Sequence, residues 1–250
     1  MISSGSDMEG ILGELMGRSN GCSKGKGGSM HMFDLEKEFY GGHGIVGASV
    51  PLGTGIAFAH KYRGKKNICA TYFGDGAANQ GQVYESFNMA ALWNLPVLFI
   101  VENNEYAMGT SVKRSSSTTE LYRRGESFGI PGVQVDGMDV MEVIRDTKEV
   151  IDYVRSGKGP MILEMKTYRY RGHSMSDPAK YRSKEEVDNI KAKNDPIEGL
   201  SKYIIENKIA TQDDLKSIDK DIRSKVNDVV EKCKACPEPD ESELWTDVYN

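Results

Sequence analysis

The sequence predicts an α/β fold: a doubly wound, mostly parallel sheet with helices on both faces, followed by a helical C-terminal region. Three observations predict it. First, "NICATYF" (67–73), "QVYESFNMAALWN" (82–94) and "PVLFIVEN" (96–103) read as strand, helix and strand with short links. That is a βαβ unit, whose two strands run parallel. Second, "VQVDG" (133–137), "MEVIRDTKEVIDYVRSG" (141–157) and "PMILEMKTYRY" (160–170) repeat the pattern and put Asp136 at the end of another strand. Third, from about residue 183 the chain turns to charge and helical periodicity. Residues 1–182 are therefore expected as the α/β domain and residues 183–250 as a helical extension packed on it.

The elements follow in order. "DMEGILGELMGR" reads as a short helix with Ile11, Leu12, Leu15 and Met16 on one face. "NGCSKGKGGSMH" is a basic glycine-rich loop, and no G-x-x-x-x-G-K-[ST] phosphate loop can be laid on it. "YGGHGIVGASVPLGTG" (40–55) reads as a second glycine-rich loop, and "IAFAHKY" after it as helix. In the helix of the first βαβ unit, Val83, Phe87, Ala90 and Ala91 recur at helical spacing. Within the C-terminal region, "TQDDL" (211–215) looks like a helix start and Pro196 falls just after another helical segment. The last residues, "PEPDESELWTDVYN", form an acidic tail.

Composition excludes several classes. The 250 residues carry a net charge of −5 with both signs mixed along the chain, which argues against a nucleic-acid protein. No apolar run approaches the ~18 residues of a membrane helix, so no membrane insertion is expected. The start, "MISSGSDMEG", has no apolar signal core and is not an Arg-rich transit peptide. Four cysteines make no disulfide framework. Cys233 and Cys236 form a C-x-x-C, but no second pair exists and every histidine lies far upstream, so a zinc site is not expected.

The chemistry concentrates in "TYFGDGAANQG" and "LFIVENNEYAMG". In a parallel sheet, ligands sit outside the carboxyl ends of the strands. Asp75 and Asn104 both occupy that position, about one βαβ unit apart, and are expected to face one crevice. A carboxylate and an amide carbonyl are hard oxygen donors that suit a Mg²⁺ shared with phosphates and water. Gly74 and Gly76 let a phosphate approach the backbone. The N–H groups of Gly76 and Ala77 lead into a turn and make a seat for an anion. A nicotinamide-binding Rossmann domain would need G-x-G-x-x-G, a spacing that "GDGAANQG" lacks.

The run from "GDG" to "NN" resembles the thiamine diphosphate motif. Its surroundings, with "KGKGGSMHM", "GGHGIVGASVPLGTGIA" and "TYRYRGHSMSDP", resemble the alpha subunits of the pyruvate dehydrogenase first component, within the thiamine diphosphate-dependent 2-oxo acid dehydrogenases. The resemblance runs from about residue 8 to beyond 230. It implies a thiamine diphosphate-binding fold and Mg²⁺ held by Asp75, Asn104 and the backbone oxygen of Tyr106. It places Gly76 and Ala77 against the diphosphate, Gly44 and Val46 against the aminopyrimidine, and His173 as an active-site histidine on a loop. Ser174 matches a serine that is phosphorylated in animal relatives.

The resemblance further implies oxidative decarboxylation of pyruvate with acetyl transfer to a lipoyl group of the acyltransferase component, and an α₂β₂ assembly with a beta subunit. It implies a bacterial cytoplasmic setting, or the mitochondrial matrix in a eukaryote. In these relatives a segment with Tyr-Arg-x-His-Gly precedes the first helix. Met1 falls just after the corresponding place, so that segment is expected to be missing. Two other readings stay open: an enzyme of the same family acting on a different 2-oxo acid or on acetoin, and a non-catalytic relative.

Overall fold

The structure is a computed structural model that describes residues 1–248. Along the chain run α1 (Met8–Leu15), α2 (Ser49–Tyr62), β1 (Cys69–Gly74), α3 (Gly81–Leu92), β2 (Val97–Asn103), β3 (Tyr106–Ala107), β4 (Thr110–Ser111), α4 (Val112–Ser115), β5 (Gly132–Asp136), α5 (Val140–Arg155), β6 (Met161–Lys166), α6 (Lys184–Asn194), α7 (Pro196–Glu206) and α8 (Gln212–Ala235). They form two compact units. One joins Met1–Gly44 to the chain from Lys208 onward, and the other is Ile45–Asn207. The charged helices after residue 183 are shared between them: α6 and α7 belong to the second unit and α8 to the first.

The second unit is built on one sheet of order β1-β2-β6-β5, with every pair parallel. α3 connects β1 to β2 and α5 connects β5 to β6, which are the two βαβ units expected. Side chains alternate across a strand, so β2 feeds both faces. Phe99 and Val101 join Val50 and Ala57 of α2 and Val83, Phe87 and Ala90 of α3 in one core. Leu98 and Ile100 join Val135, Leu163, and Val150 and Val154 of α5 in the other. Burial on both faces explains the near-continuous apolar run of β2. Edge strand β1 is covered on one face only. Cys69, Thr71 and Phe73 are buried, while Tyr72 is 54% exposed. Its outer edge pairs with no strand among the described residues.

One expected loop is a helix. α2 begins at Ser49 and runs through Gly53 and Gly55, residues read from the sequence as part of a loop. Gly53 sits where the helix crosses β1: a side-chain carbon there would lie 2.6 Å from Cβ of Thr71. The glycine is a packing device for a close helix–strand approach, not a breaker.

In the first unit, α1 is capped by Asp7, which accepts from Gly10 N–H at 2.8 Å, and packs along α8. Cys233 is fully buried there, its Sγ 3.5 Å from the Glu9 carbonyl oxygen. The buried face of α1 differs from the apolar stripe expected. Gly13 and Glu14 are buried and Leu15 is half exposed. The reason is the Glu14 carboxylate, which accepts backbone N–H bonds from Ser23 (2.7 Å), Gly25 (2.8 Å), Gly27 (2.6 Å) and Gly28 (3.1 Å). A buried carboxylate is tolerated only when so satisfied, and here it gives the basic glycine loop its shape. Lys24 and Lys26 of that loop meet Glu243 and Asp247 near the C-terminus at 2.6–3.7 Å. α8 opens with a capping box between Thr211 and Asp214, as "TQDDL" foretold.

Candidate cofactor and metal site

Parallel strands bring their carboxyl ends to one edge of the sheet. The register pairs Gly74 with Glu102, Asn103 with Lys166, and Asp136 with Lys166. The chain therefore leaves β1 at Asp75, β2 at Asn104 and β6 at Thr167 side by side. Asp75 is only 4% exposed. Burial raises its pKa above the ordinary carboxylate range. Hydrogen bonds from its own backbone N–H and that of Asn104, and the charges of Arg169 and Lys166, oppose the rise. The two expected ligand residues are thus brought together, and two cations stand near the carboxylate.

The two asparagines divide the work. Asn103 is fully buried. Its Nδ2 donates to Glu164 Oε1 at 2.6 Å and its Oδ1 accepts from Glu105 N–H at 3.1 Å. Glu164, itself fully buried, also accepts from Tyr122 N–H (2.9 Å) and Gln134 Nε2 (3.1 Å). This network anchors the end of β2. Asn104 begins the next turn, where its Oδ1 accepts from Tyr106 N–H at 3.2 Å. The turn holds two non-glycine residues in the left-handed region, Glu105 (φ 72°) and Met108 (φ 52°). Such strain persists only where surrounding structure enforces it. Here the small antiparallel β3–β4 hairpin does so, together with the bond from Val112 N–H to the Glu105 carbonyl.

After Asp75 the chain makes one 3₁₀ turn, Ala77–Asn79. No atom lies within 4 Å of a side-chain carbon placed on Gly74, so the space above it is open, whereas one placed on Gly76 would lie 2.5 Å from Ala107 Cβ. The second glycine of "GDG" is therefore demanded by the hairpin. Gly44 belongs to the first unit, where a side-chain carbon would lie 3.5 Å from the His31 ring. Val46 belongs to the second unit, and its carbonyl accepts from Gln82 Nε2 at 2.8 Å. His173 is exposed on the segment after β6. Its backbone N–H donates to Asp177 Oδ2 at 2.7 Å and its Nδ1 lies 3.2 Å from Arg169 Nη1. Arg169 Nη2 donates to the Met108 carbonyl at 2.9 Å, so the histidine segment is tied to the turn that carries Asn104 and Tyr106. Tyr168, in the same segment, has its phenol pushed up to about 12 by burial and by its bond to Glu186.

Arg169, Lys166 and Glu164 are the residues that motif reading did not single out. Their signal was the alternation of charge and aromatic rings in "LEMKTYRYRGH", at the end of an apolar strand. Among the described residues no group of three or more His, Cys, Asp or Glu is placed to hold a metal, and all four cysteines are free thiols. No helix among them is long and apolar enough to cross a membrane.

Comparison with known proteins identifies the family of the chain. A family model described as the dehydrogenase E1 component matches residues 1–242. The pyruvate dehydrogenase E1 component subunit alpha of Rhizobium meliloti is 62% identical over 248 residues, covering 99% of this chain and 71% of the relative. That of Rickettsia felis is 60% identical over 249 residues, covering 100% of this chain and 76% of the relative. A mitochondrial one from Sminthopsis macroura is 54% identical over 241 residues, covering 96% and 65%. This chain belongs to the dehydrogenase E1 component family.

Proposed function

We propose that the chain is the alpha subunit of a pyruvate dehydrogenase first component, working with a beta subunit in an α₂β₂ assembly. With thiamine diphosphate and Mg²⁺ it would decarboxylate pyruvate and pass the acetyl group to a lipoyl group of the acyltransferase component. The observation that carries the reading is the buried Asp75 carboxylate beside Asn104 at the carboxyl ends of β1 and β2. The donor set fits the implied groups. Asp75 is a desolvated carboxylate, a form that a divalent cation stabilises. Arg169 has a buried Nε–H with no acceptor, which suits an anionic neighbour. The space over Gly74 is open.

In this reading Asp75, the Asn104 side-chain oxygen and the Tyr106 backbone oxygen hold Mg²⁺, and the backbone of Gly76 and Ala77 lies against the diphosphate. Gly44 and Val46 offer backbone contacts to the aminopyrimidine. His173 offers a ring N–H to an oxygen of the substrate. When bound, thiamine diphosphate supplies the electron sink that decarboxylation needs. The beta chain supplies the acid that activates the aminopyrimidine, so the alpha chain alone is inactive. The setting is the bacterial cytoplasm, or the mitochondrial matrix in a eukaryote.

The test is co-expression with the beta chain of the same genome and assay of pyruvate-dependent reduction of an artificial electron acceptor. Activity that needs both thiamine diphosphate and Mg²⁺, and is lost in Asp75→Ala, is expected. Turnover that persists without either group, or a preference for branched-chain 2-oxo acids or acetoin over pyruvate, would refute it.

A further inference from the structure

Among the described residues, the ring of His173 makes one hydrogen-bond contact, with Arg169. Nδ1 lies 3.2 Å from Arg169 Nη1. A guanidinium has five N–H donors, no acceptor, and does not deprotonate in proteins. Nδ1 must therefore accept, and the ring proton sits on Nε2. We propose that Arg169 is a positioning residue that turns Nδ1 of His173 toward its guanidinium and leaves the Nε2 N–H as the donor for an oxygen of the bound ligand. The inference rests on the reading above for the ligand's identity, and not for the proton's place.

Further contacts hold Arg169 still. Its Nη2 is spent on the Met108 carbonyl at 2.9 Å. Arg182 donates to the carbonyl oxygens of Arg169 and Arg171, the latter at 2.8 Å. Arg182 is itself enclosed by the rings of Tyr106, Tyr168 and Tyr181, with its guanidinium carbon 5.2–5.7 Å from their centroids, a favourable cation–π geometry. Glu186 accepts from the hydroxyls of Tyr106 (3.1 Å) and Tyr168 (2.6 Å), which fixes two of those rings. On the other side Asp177 holds the His173 backbone and also accepts from Ala179 N–H and Tyr181 Oη, at 2.8 and 2.9 Å. An exposed histidine is thus gripped by ring and backbone alike. Carbonyl, ring and carboxylate groups trace the grip from the Tyr106 turn to the start of α6.

The experiment is nitrogen NMR of the full chain labelled at histidine, of which there are four, with His173→Gln identifying the resonances. At a pH where the ring is neutral, His173 is expected to show two well-separated nitrogen signals, Nδ1 unprotonated and Nε2 protonated. In Arg169→Met the pair should move toward the averaged positions of a mobile imidazole. An averaged or Nδ1-protonated pattern in the unmodified chain would overturn the proposal without recourse to any variant, so misfolding of Arg169→Met cannot shelter it. In the assembled enzyme, Arg169→Met should lower kcat about 100-fold with pyruvate KM changed much less. Separated signals that are the same in both proteins would overturn the role of Arg169. If the signals behave as expected and the assembly shows no thiamine-dependent turnover at all, it is the functional reading that fails.

Discussion

Two strands of the same sheet end in the same dipeptide. β1 runs into Asp75–Gly76 and β5 into Asp136–Gly137, at the same edge and in the same direction. Their aspartates have opposite fates. Asp136 is exposed and spends its carboxylate on its own turn, with Oδ1 accepting from Met138 N–H at 2.9 Å. Asp75 is buried and caps no turn two residues on. The backbone bonds it receives, from its own N–H and Asn104, leave it with a raised pKa. A carboxylate satisfied by its own loop is structural, and a buried one with a raised pKa is a candidate for function. The glycines do not tell the sites apart. A side-chain carbon at Gly76 would meet Ala107 Cβ at 2.5 Å and one at Gly137 would meet Thr167 Cγ2 at 2.6 Å.

Ligand binding should separate Asp75 from Asp136 most strongly. In the assembled enzyme, Asp75→Ala should weaken Mg²⁺-dependent thiamine diphosphate binding by about 100-fold or more, while Asp136→Ala should leave it within about twofold. Calorimetric titration decides this, and equal losses in both variants would erase the distinction. A third carboxylate sharpens it. Glu164 is as buried as Asp75 but accepts from three N–H donors, so its work is structural. Glu164→Ala strands those donors and should cost about 3 kcal/mol of unfolding free energy in urea melts.

The next effect concerns pH. Because the folded-state pKa of Asp75 is raised, the folded chain binds more protons than the unfolded chain between the ordinary value of 3.8 and the raised one. The stability of the ligand-free chain therefore falls as pH rises through that window. Asp75→Asn should abolish that contribution and melt no lower than the parent at pH 7, with the advantage vanishing below pH 3.8. A variant that melts well below the parent at pH 7 would show that the carboxylate stabilises the fold. The smallest effect belongs to Asp136. Asp136→Ala should cost about 0.5–1 kcal/mol, and Asp136→Asn close to nothing, because an asparagine makes the same turn.

Both βαβ units were legible because their signals are local: an apolar run, a helical spacing, a second apolar run. Asp75 and Asn104 were legible for a related reason, since parallel topology alone sends strand ends to one edge. What stayed hidden depends on partners distant in sequence. The glycines of α2 read as loop because the strand they approach lies beyond the helix, at Thr71. The burial of Glu14 was invisible because its four donors are backbone groups, which carry no residue-type signature. Arg169 looked like one more cation in a charged stretch. Only its reach to both Met108 and His173 distinguishes it from Arg171, two residues on.

The bare edge of β1 can be read out amide by amide. Cys69 N–H points to β2, where it bonds the Pro96 carbonyl at 2.9 Å, so Thr71 and Phe73 point the same way. Ala70 and Tyr72 point outward, and the Tyr72 carbonyl accepts from the hydroxyl of Ser49, at 2.8 Å. Deuterium should therefore enter this strand in alternation, quickly at Ala70 and Tyr72 and slowly at Cys69, Thr71 and Phe73. Any polypeptide that lay along that edge would slow the two fast sites and leave the three slow ones as they were. Two amides thus become a built-in reporter of whether the outermost strand of the sheet has acquired a neighbour.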